Sequence, residues 1–308
     1  MRKLSTIAGL AALALTVTAC GGGTTTLAEP SGRAGSTGSS GGTIVIGTAN
    51  FTENVTLGYV YAGYLKSKGY EVTVKPNLGS REVIFPALQN GDIDLLPEYQ
   101  GSLLLYLDKE SKAADGAAQA AELKGKLPAG LKLLPFAPAE DKTIWMVTRA
   151  TAAKYGLKSL EDLKKANGKL VYGGPPEDKT RRVGIVGLKD VYGAEFKAFR
   201  ALDAGGPLTK TALKKGDIDV ADIFSSDAEI SSNDWVGLED PQRLQPNENI
   251  APVVREQKAD DKLTAAFEAL NPKLTTEALI QMNHKTDVEK EDPEDVADEW
   301  LKSTGLVS

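Results

Sequence analysis

The chain has 308 residues, 41% of them hydrophobic, and its 36 Lys and Arg against 42 Asp and Glu leave a net charge of −6. That balance argues against a nucleic-acid partner, which calls for a basic surface. One cysteine and one histidine rule out a disulfide framework, a Ser-His-Asp or Cys-His nucleophile and the usual His/Cys metal spacings. No Walker loop or GxGxxG is present, so no cofactor, metal or catalytic residue is expected.

The opening "MRKLSTIAGLAALALTVTAC" places Arg2 and Lys3 before an apolar run that ends on small residues and Cys20. The run is too short for a membrane span and reads as an export signal over 1–20. The small residues before Cys20 resemble a bacterial lipobox, which implies a thiol acylated after export and an anchor of more than one acyl chain. A plain secretory signal that happens to end in Cys is the alternative. The following "GGGTTTLAEPSGRAGSTGSSGG", 21–42, has too little apolar surface to fold and reads as a disordered tether. Its r.m.s. reach is about 25 Å.

From residue 43 onward short β-branched runs alternate with amphipathic ones. "TIVIGTA" reads as a strand, and "TENVTLGYVYAGYLKSKG" as a helix with Val55, Tyr59, Ala62 and Leu65 at helical spacing, stopping at Gly69. "YEVTVKPN" is a strand, "REVIFPALQNG" a helix and "DIDLLPEY" a strand. The β-α-β-α-β order predicts a mostly parallel sheet with helices on both faces. A second round follows, with strands "TIWMVT", "KLVYGG" and "DIDVADIF" and helices "SLEDLKKANG", "KDVYGAEFKAFRAL" and "PLTKTALKKG". No later run is long and apolar enough to span a membrane. The acidic "DVEKEDPEDVADEW" reads as a capped, solvated helix start and lacks calcium-loop spacing.

Two phrases repeat: "ALQNGDIDLLPEYQGS" at 87–102 and "ALKKGDIDVADIFSSD" at 212–227. Each reads as a helix stopped by Gly91 or Gly216, then a strand whose carboxyl end delivers Tyr99 or Phe224. Ligands of open α/β sheets bind beyond those strand ends, so two such units facing each other would present both aromatics to one cleft. The plainer alternative makes "GDID" a common helix-to-strand turn and both aromatics core.

"GTANFTENVTLGYVYAGYL", "NLGSREVIFPALQNGDIDLLPEYQGSLL", "GGPPEDKTRRVGIVGLKDVYGAEFKAF", "LDAGGPLTKTALKKGDIDVADIFSSD" and "NENIAPVVR" together resemble successive blocks of the osmoprotectant (glycine betaine/choline type) substrate-binding proteins of ABC importers. The resemblance runs from residue 43 to 307. It implies an α/β, two-lobed periplasmic-binding-protein fold of the Venus flytrap type II kind, with two hinge crossovers near 145–148 and 249–253. Lobe I would be 43–146 plus 250–308, its tail helices returning to the first lobe, and lobe II 147–249. The partners implied are a small-molecule osmolyte, the permease and ATPase of an importer, and the membrane through a lipid anchor on the extracytoplasmic face. A monomer is expected.

A quaternary ammonium has no N–H to donate, so aromatic faces must hold it. A carboxylate end needs an Arg fork or N–H groups at a helix start. By resemblance Tyr99 falls on the family's cage tyrosine, Ser102 on its hydroxyl ligand, Arg181 on its carboxylate-binding arginine and Phe224 near another cage aromatic. Glu177 opens a helix beside Arg181, and Asn50, Trp145, Glu248 and Asn249 complete the expected ligand-binding set. The plainer alternative makes Arg181 and Arg182 a solvated basic pair. Several positions depart from the family. Ala49 stands where a Lys is common, and Ile144 where a cage Tyr is expected. Asn247, Glu248 and Asn249 replace a tyrosine, and Asp178 and Val183 replace a cysteine pair. A bulkier neutral or aromatic solute, and a tethered sensor in place of an importer, therefore stay open.

Overall fold

The computed structural model describes residues 42–308; the expected signal, Cys20 and the tether up to residue 41 lie outside the described residues. Among the described residues, ten strands form two five-stranded sheets. The first contains β1 (Ile44–Gly47), β2 (Val72–Lys75), β3 (Leu95–Tyr99), β4 (Leu131–Leu133) and β10 (Ile250–Arg255), in the order β2-β1-β3-β10-β4. The second contains β5 (Thr143–Thr148), β6 (Val171–Gly174), β7 (Ala198–Ala201), β8 (Val220–Phe224) and β9 (Trp235–Gly237), in the order β7-β6-β8-β5-β9. Three parallel strands in each are joined by an antiparallel fourth, β10 against β3 and β5 against β8.

The repeated phrase builds the same step in both sheets. Helix Arg81–Asn90 ends on Gly91 at φ 85° and helix Pro207–Lys215 on Gly216 at φ 73°, the left-handed backbone that glycine adopts without a Cβ clash. Three residues later Asp94 accepts the Val45 N–H at 3.0 Å, and Asp219 the Val171 N–H at 2.8 Å. Each carboxylate thus pins the start of the neighbouring parallel strand. Side-chain alternation then buries both faces. In the first sheet Ile44 and Ile46 enter one apolar cluster while Leu96 and Val253 enter another. In the second, Trp145 and Val147 oppose Met146, Ala221 and Ile223.

Two features differ from the sequence expectation. "KDVYGAEFKAFRAL" is not one helix: Ile185–Tyr192 stops at Gly193, φ 65°, and Ala198–Ala201 is the edge strand β7. That strand is largely exposed, so it lacks the apolar alternation that marks a strand in sequence. The chain passes between sheets at 134–142 and 238–249, not at 145–148 and 249–253, which lie in or abut β5 and β10. All of β5, including 143–146, pairs in the second sheet. We therefore propose a lobe division before Thr143. The crossing segments lie side by side: Glu140 bridges Asn249, Asp141 N–H donates to the Glu248 carbonyl at 3.1 Å, and Ile250 N–H to the Ala139 carbonyl at 3.1 Å.

The carboxy-terminal helices pack on the first sheet's side. Tyr61 of helix Thr52–Ser67 meets Phe267 edge-on at 4.9 Å, and Trp300 and Leu301 share its apolar cluster. Among the described residues no helix is long and apolar enough to cross a membrane.

Candidate functional site

A cavity of about 100 Å³ lies where the carboxyl ends of the two sheets meet. Its wall includes Ala49, Asn50 and Phe51 after β1, Tyr99 at the end of β3, and Asp222 and Phe224 at the end of β8. Both repeated aromatics therefore face one space. Phe51 joins them: its ring centroid lies 5.8 Å from Tyr99 and 5.3 Å from Phe224, at interplanar angles of 38° and 41°. The Tyr99 hydroxyl donates to Glu53 Oε1 at 2.7 Å. Burial first, then the Glu53 charge, raises the Tyr99 pKa well above its ordinary value, so the ring stays a neutral phenol.

Ser102 and Glu248 are brought together at the first sheet's edge of the cavity. The Ser102 hydroxyl donates to Glu248 Oε1 at 2.5 Å and its N–H to Oε2 at 3.0 Å, while Gln245 Nε2 donates to Oε1 at 2.9 Å. Burial pushes the Glu248 carboxyl up to about 7 against the lowering pull of those Ser102 bonds and of Arg81. Arg81 is held by Glu98 in a fork, Nε to Oε1 at 2.9 Å and Nη2 to Oε2 at 2.7 Å.

Arg181 lines the cavity, but its fork is turned to Glu82, with Nε to Oε1 at 3.0 Å and Nη2 to Oε2 at 2.8 Å. The pair joins the second-sheet side to the helix Arg81–Asn90 of the first. Asn50 and Glu177 lie on the cavity wall. Trp145 and Asn249 do not. Trp145 is 1% exposed in the second sheet's core, paired with Asp222 across β5 and β8. Asn249 is spent on the crossover, its amide donating to the Ala137 carbonyl at 3.1 Å.

Phe51, Arg81, Glu98, Asp178 and Asp222 line the cavity and fall outside the set expected from sequence. Asp222 had a signal, because a residue two before Phe224 on one strand shares its face. Asp178 accepts the Tyr172 hydroxyl at 2.6 Å. Burial raises the carboxyls of Asp178 and Asp222, and Asp178 further raises Asp222. The wall as a whole carries six carboxyls, Glu98, Asp141, Glu177, Asp178, Asp222 and Glu248, against two guanidinium groups.

Two α/β lobes, joined by paired crossovers and closing on a cavity at their strand ends, define a solute-binding protein of the two-lobed periplasmic type II class. The chain belongs to the family described as the substrate binding domain of the ABC-type glycine betaine transport system, which it matches over residues 42–303. It is 26% identical to a glycine-betaine-binding protein of Pseudomonas aeruginosa over 280 residues, 86% of this chain and 89% of that protein. Identity to the carnitine transport binding protein OpuCC of Listeria monocytogenes is 27%, covering 86% of this chain and 88% of that one. A solved glycine betaine/carnitine/choline ABC transporter structure superposes with a TM-score of 0.65 at 25% identity, over 85% of this chain and 99% of that chain. The protein is thus the extracytoplasmic substrate-binding component of an ABC importer.

Proposed function

We propose that this chain captures a small osmolyte bearing a methylated ammonium group in the cavity between its lobes and hands it to the importer's permease. The carrying observation is the cluster of Phe51, Tyr99 and Phe224 at the joined strand ends of both sheets, with the Phe51 ring 5.8 Å from Tyr99 and 5.3 Å from Phe224. Aromatic faces attract a cation that has no N–H to donate, by about 0.5–2 kcal/mol each. Relatives named for glycine betaine and for carnitine fit the same chemistry.

Closure is part of the same proposal. A ligand touching Phe51 and Tyr99 on one side and Phe224 on the other makes all its contacts only with the lobes together, so its binding free energy favours that state. We further propose that the protein acts as a monomer tethered through acylated Cys20. Calorimetric titration with choline, glycine betaine and carnitine tests the ligand class. At least one should bind and lose affinity in Phe224→Ala; failure of all three to bind would reject the methylated-ammonium assignment.

A further inference from the structure

Asp178 and Asp222 form a buried acidic floor to the cavity. Asp222 is 4% exposed and Asp178 5% exposed, and both line it. Gly174 lies between them: a Cβ there would come 2.6 Å from Asp178 Oδ2 and 2.6 Å from Asp222 Oδ1. The Asp178 oxygen takes the Tyr172 hydroxyl. Asp222 Oδ1 has no hydrogen-bond partner among the described residues, although a buried carboxyl oxygen left unpaired costs about 1–3 kcal/mol. An oxygen kept in that state at a cavity wall is shaped for a donor that arrives from outside.

The strand sets the spacing. Asp222 and Phe224 share one face of β8, two residues apart, which places the acid about 7 Å below the aromatic cluster. That is the length of a short alkyl ammonium with a second polar group. Both wall cations already carry a carboxylate partner, Arg81 forked to Glu98 and Arg181 to Glu82 through Nε and Nη2, so an incoming carboxylate would compete with those pairs. A carboxylate tail would also bring a further negative charge to Asp178 and Asp222, two carboxyls that burial already holds toward the protonated form.

Resting on the methylated-ammonium reading, we propose that Asp222, supported by Asp178, forms a subsite for a hydrogen-bond donor, so that the ligand is a net cation carrying an N–H or O–H at its far end and no free carboxylate. The second carboxyl lets the floor hold a proton or release it as the incoming donor is neutral or charged. The raised proton affinities of both acids fit this use.

The test titrates wild type, Asp222→Asn and Asp178→Asn with four probes: (2-aminoethyl)trimethylammonium, choline, glycine betaine and tetramethylammonium, with thermal melts as a folding control. Wild type should bind the two donor-bearing cations at least about tenfold more tightly than glycine betaine or tetramethylammonium, the scale of one charged hydrogen bond. Asp222→Asn should erase that preference while leaving tetramethylammonium unchanged, with Asp178→Asn shifting it in the same direction. Glycine betaine binding wild type as tightly as choline would overturn the subsite while leaving the methylated-ammonium reading standing. A preference that survives Asp222→Asn in a folded variant would do the same, making the pair a purely structural one. If no quaternary probe binds, histamine, which carries donors but no quaternary group, separates the two ideas: binding that Asp222→Asn abolishes keeps the donor subsite and rejects the methylated ammonium, and no binding rejects both.

Discussion

Arg181 and Glu82, one from each lobe, close a two-pronged ion pair at 3.0 and 2.8 Å across the cleft mouth. Burial alone would raise the Glu82 carboxyl, but the Arg181 hydrogen bonds and charge win and hold it at about 2. The arginine that sequence resemblance assigns to a ligand carboxylate is therefore occupied by the protein itself.

This makes Arg181 a latch between lobes, and the two roles predict opposite things. If it latches, Arg181→Gln and Glu82→Gln should each weaken every ligand by about two- to fivefold, a modest figure because both side chains are partly solvated. The double variant should be little worse than either single one. A carboxylate-binding Arg181 would instead show Glu82→Gln tightening glycine betaine. Since the Glu82 pKa is depressed, the latch contribution is intact above its ordinary value near 4.5 and is lost as pH falls toward about 2. Scattering measurements of closure between pH 7 and pH 5 should show no loosening from this pair.

Glu248 gives a pH response of the other sign. Its folded-state carboxyl, raised to about 7, binds a proton that the unfolded chain has already released above about pH 4.5. Its contribution to stability therefore falls as pH rises between those values and levels off above 7. Melting temperature followed from pH 5 to pH 8 should show this decline, and Glu248→Gln should remove part of the slope. An unchanged slope in the variant would mean that Glu248 is ionised throughout.

The cage can be dissected at two rings. Phe51→Ala removes the aromatic that touches both Tyr99 and Phe224, and binding of a quaternary probe should weaken by about 0.5–2 kcal/mol. Tyr99→Phe keeps the ring and drops only the hydroxyl bond to Glu53. It should bind like wild type and lose stability, by about 1 kcal/mol. A Tyr99→Phe protein with wild-type stability but lost binding would assign the hydroxyl to the ligand.

Much of this architecture is written in the chain's two "GDID" phrases. Gly91 and Gly216 had to stop helices, and the periodicity around them located β3, β8 and both aromatics. What the phrases hid was the purpose of their second acid: Asp94 and Asp219 each hold an N–H near the start of a neighbouring parallel strand, a contact set by tertiary pairing that no local pattern carries. The site was harder to read for the same reason. Arg181, Ser102 and Glu248, expected from sequence to touch the ligand, line the cavity, yet their partners lie 99 and 146 positions away in sequence. Only the fold shows Arg181 and Ser102 already engaged. Trp145 and Asn249, expected in the same set, adjoin the crossovers, where burial and backbone carbonyls claim them.

Cys20 lies outside the described residues, and its proposed acylation is tested in the cell. Cys20→Ser should move the protein from the membrane fraction to the soluble extracytoplasmic fraction with ligand affinity unchanged, because the sites argued above lie between residues 49 and 248. Retention in the membrane fraction would place the anchor elsewhere.

Ala49 offers a gain-of-charge test of the whole electrostatic reading. Its N–H already donates to Asn54 Oδ1 at 2.7 Å, a backbone contact that a new side chain leaves in place, and the residue lines the cavity beside Phe51. Ala49→Lys would therefore set an ammonium at the cavity wall beside its carboxyls. It should draw in a carboxylate-tailed zwitterion and oppose a simple cation, shifting the ratio of glycine betaine to choline affinity by at least about tenfold toward the zwitterion, since unit charges even about 12 Å apart interact by about 1.4 kcal/mol at an effective dielectric near 20. High salt should shrink the shift where the cleft admits ions. Equal changes for both ligands would mean that the lysine acts through shape alone, and that charge in this cleft does not set the choice between them.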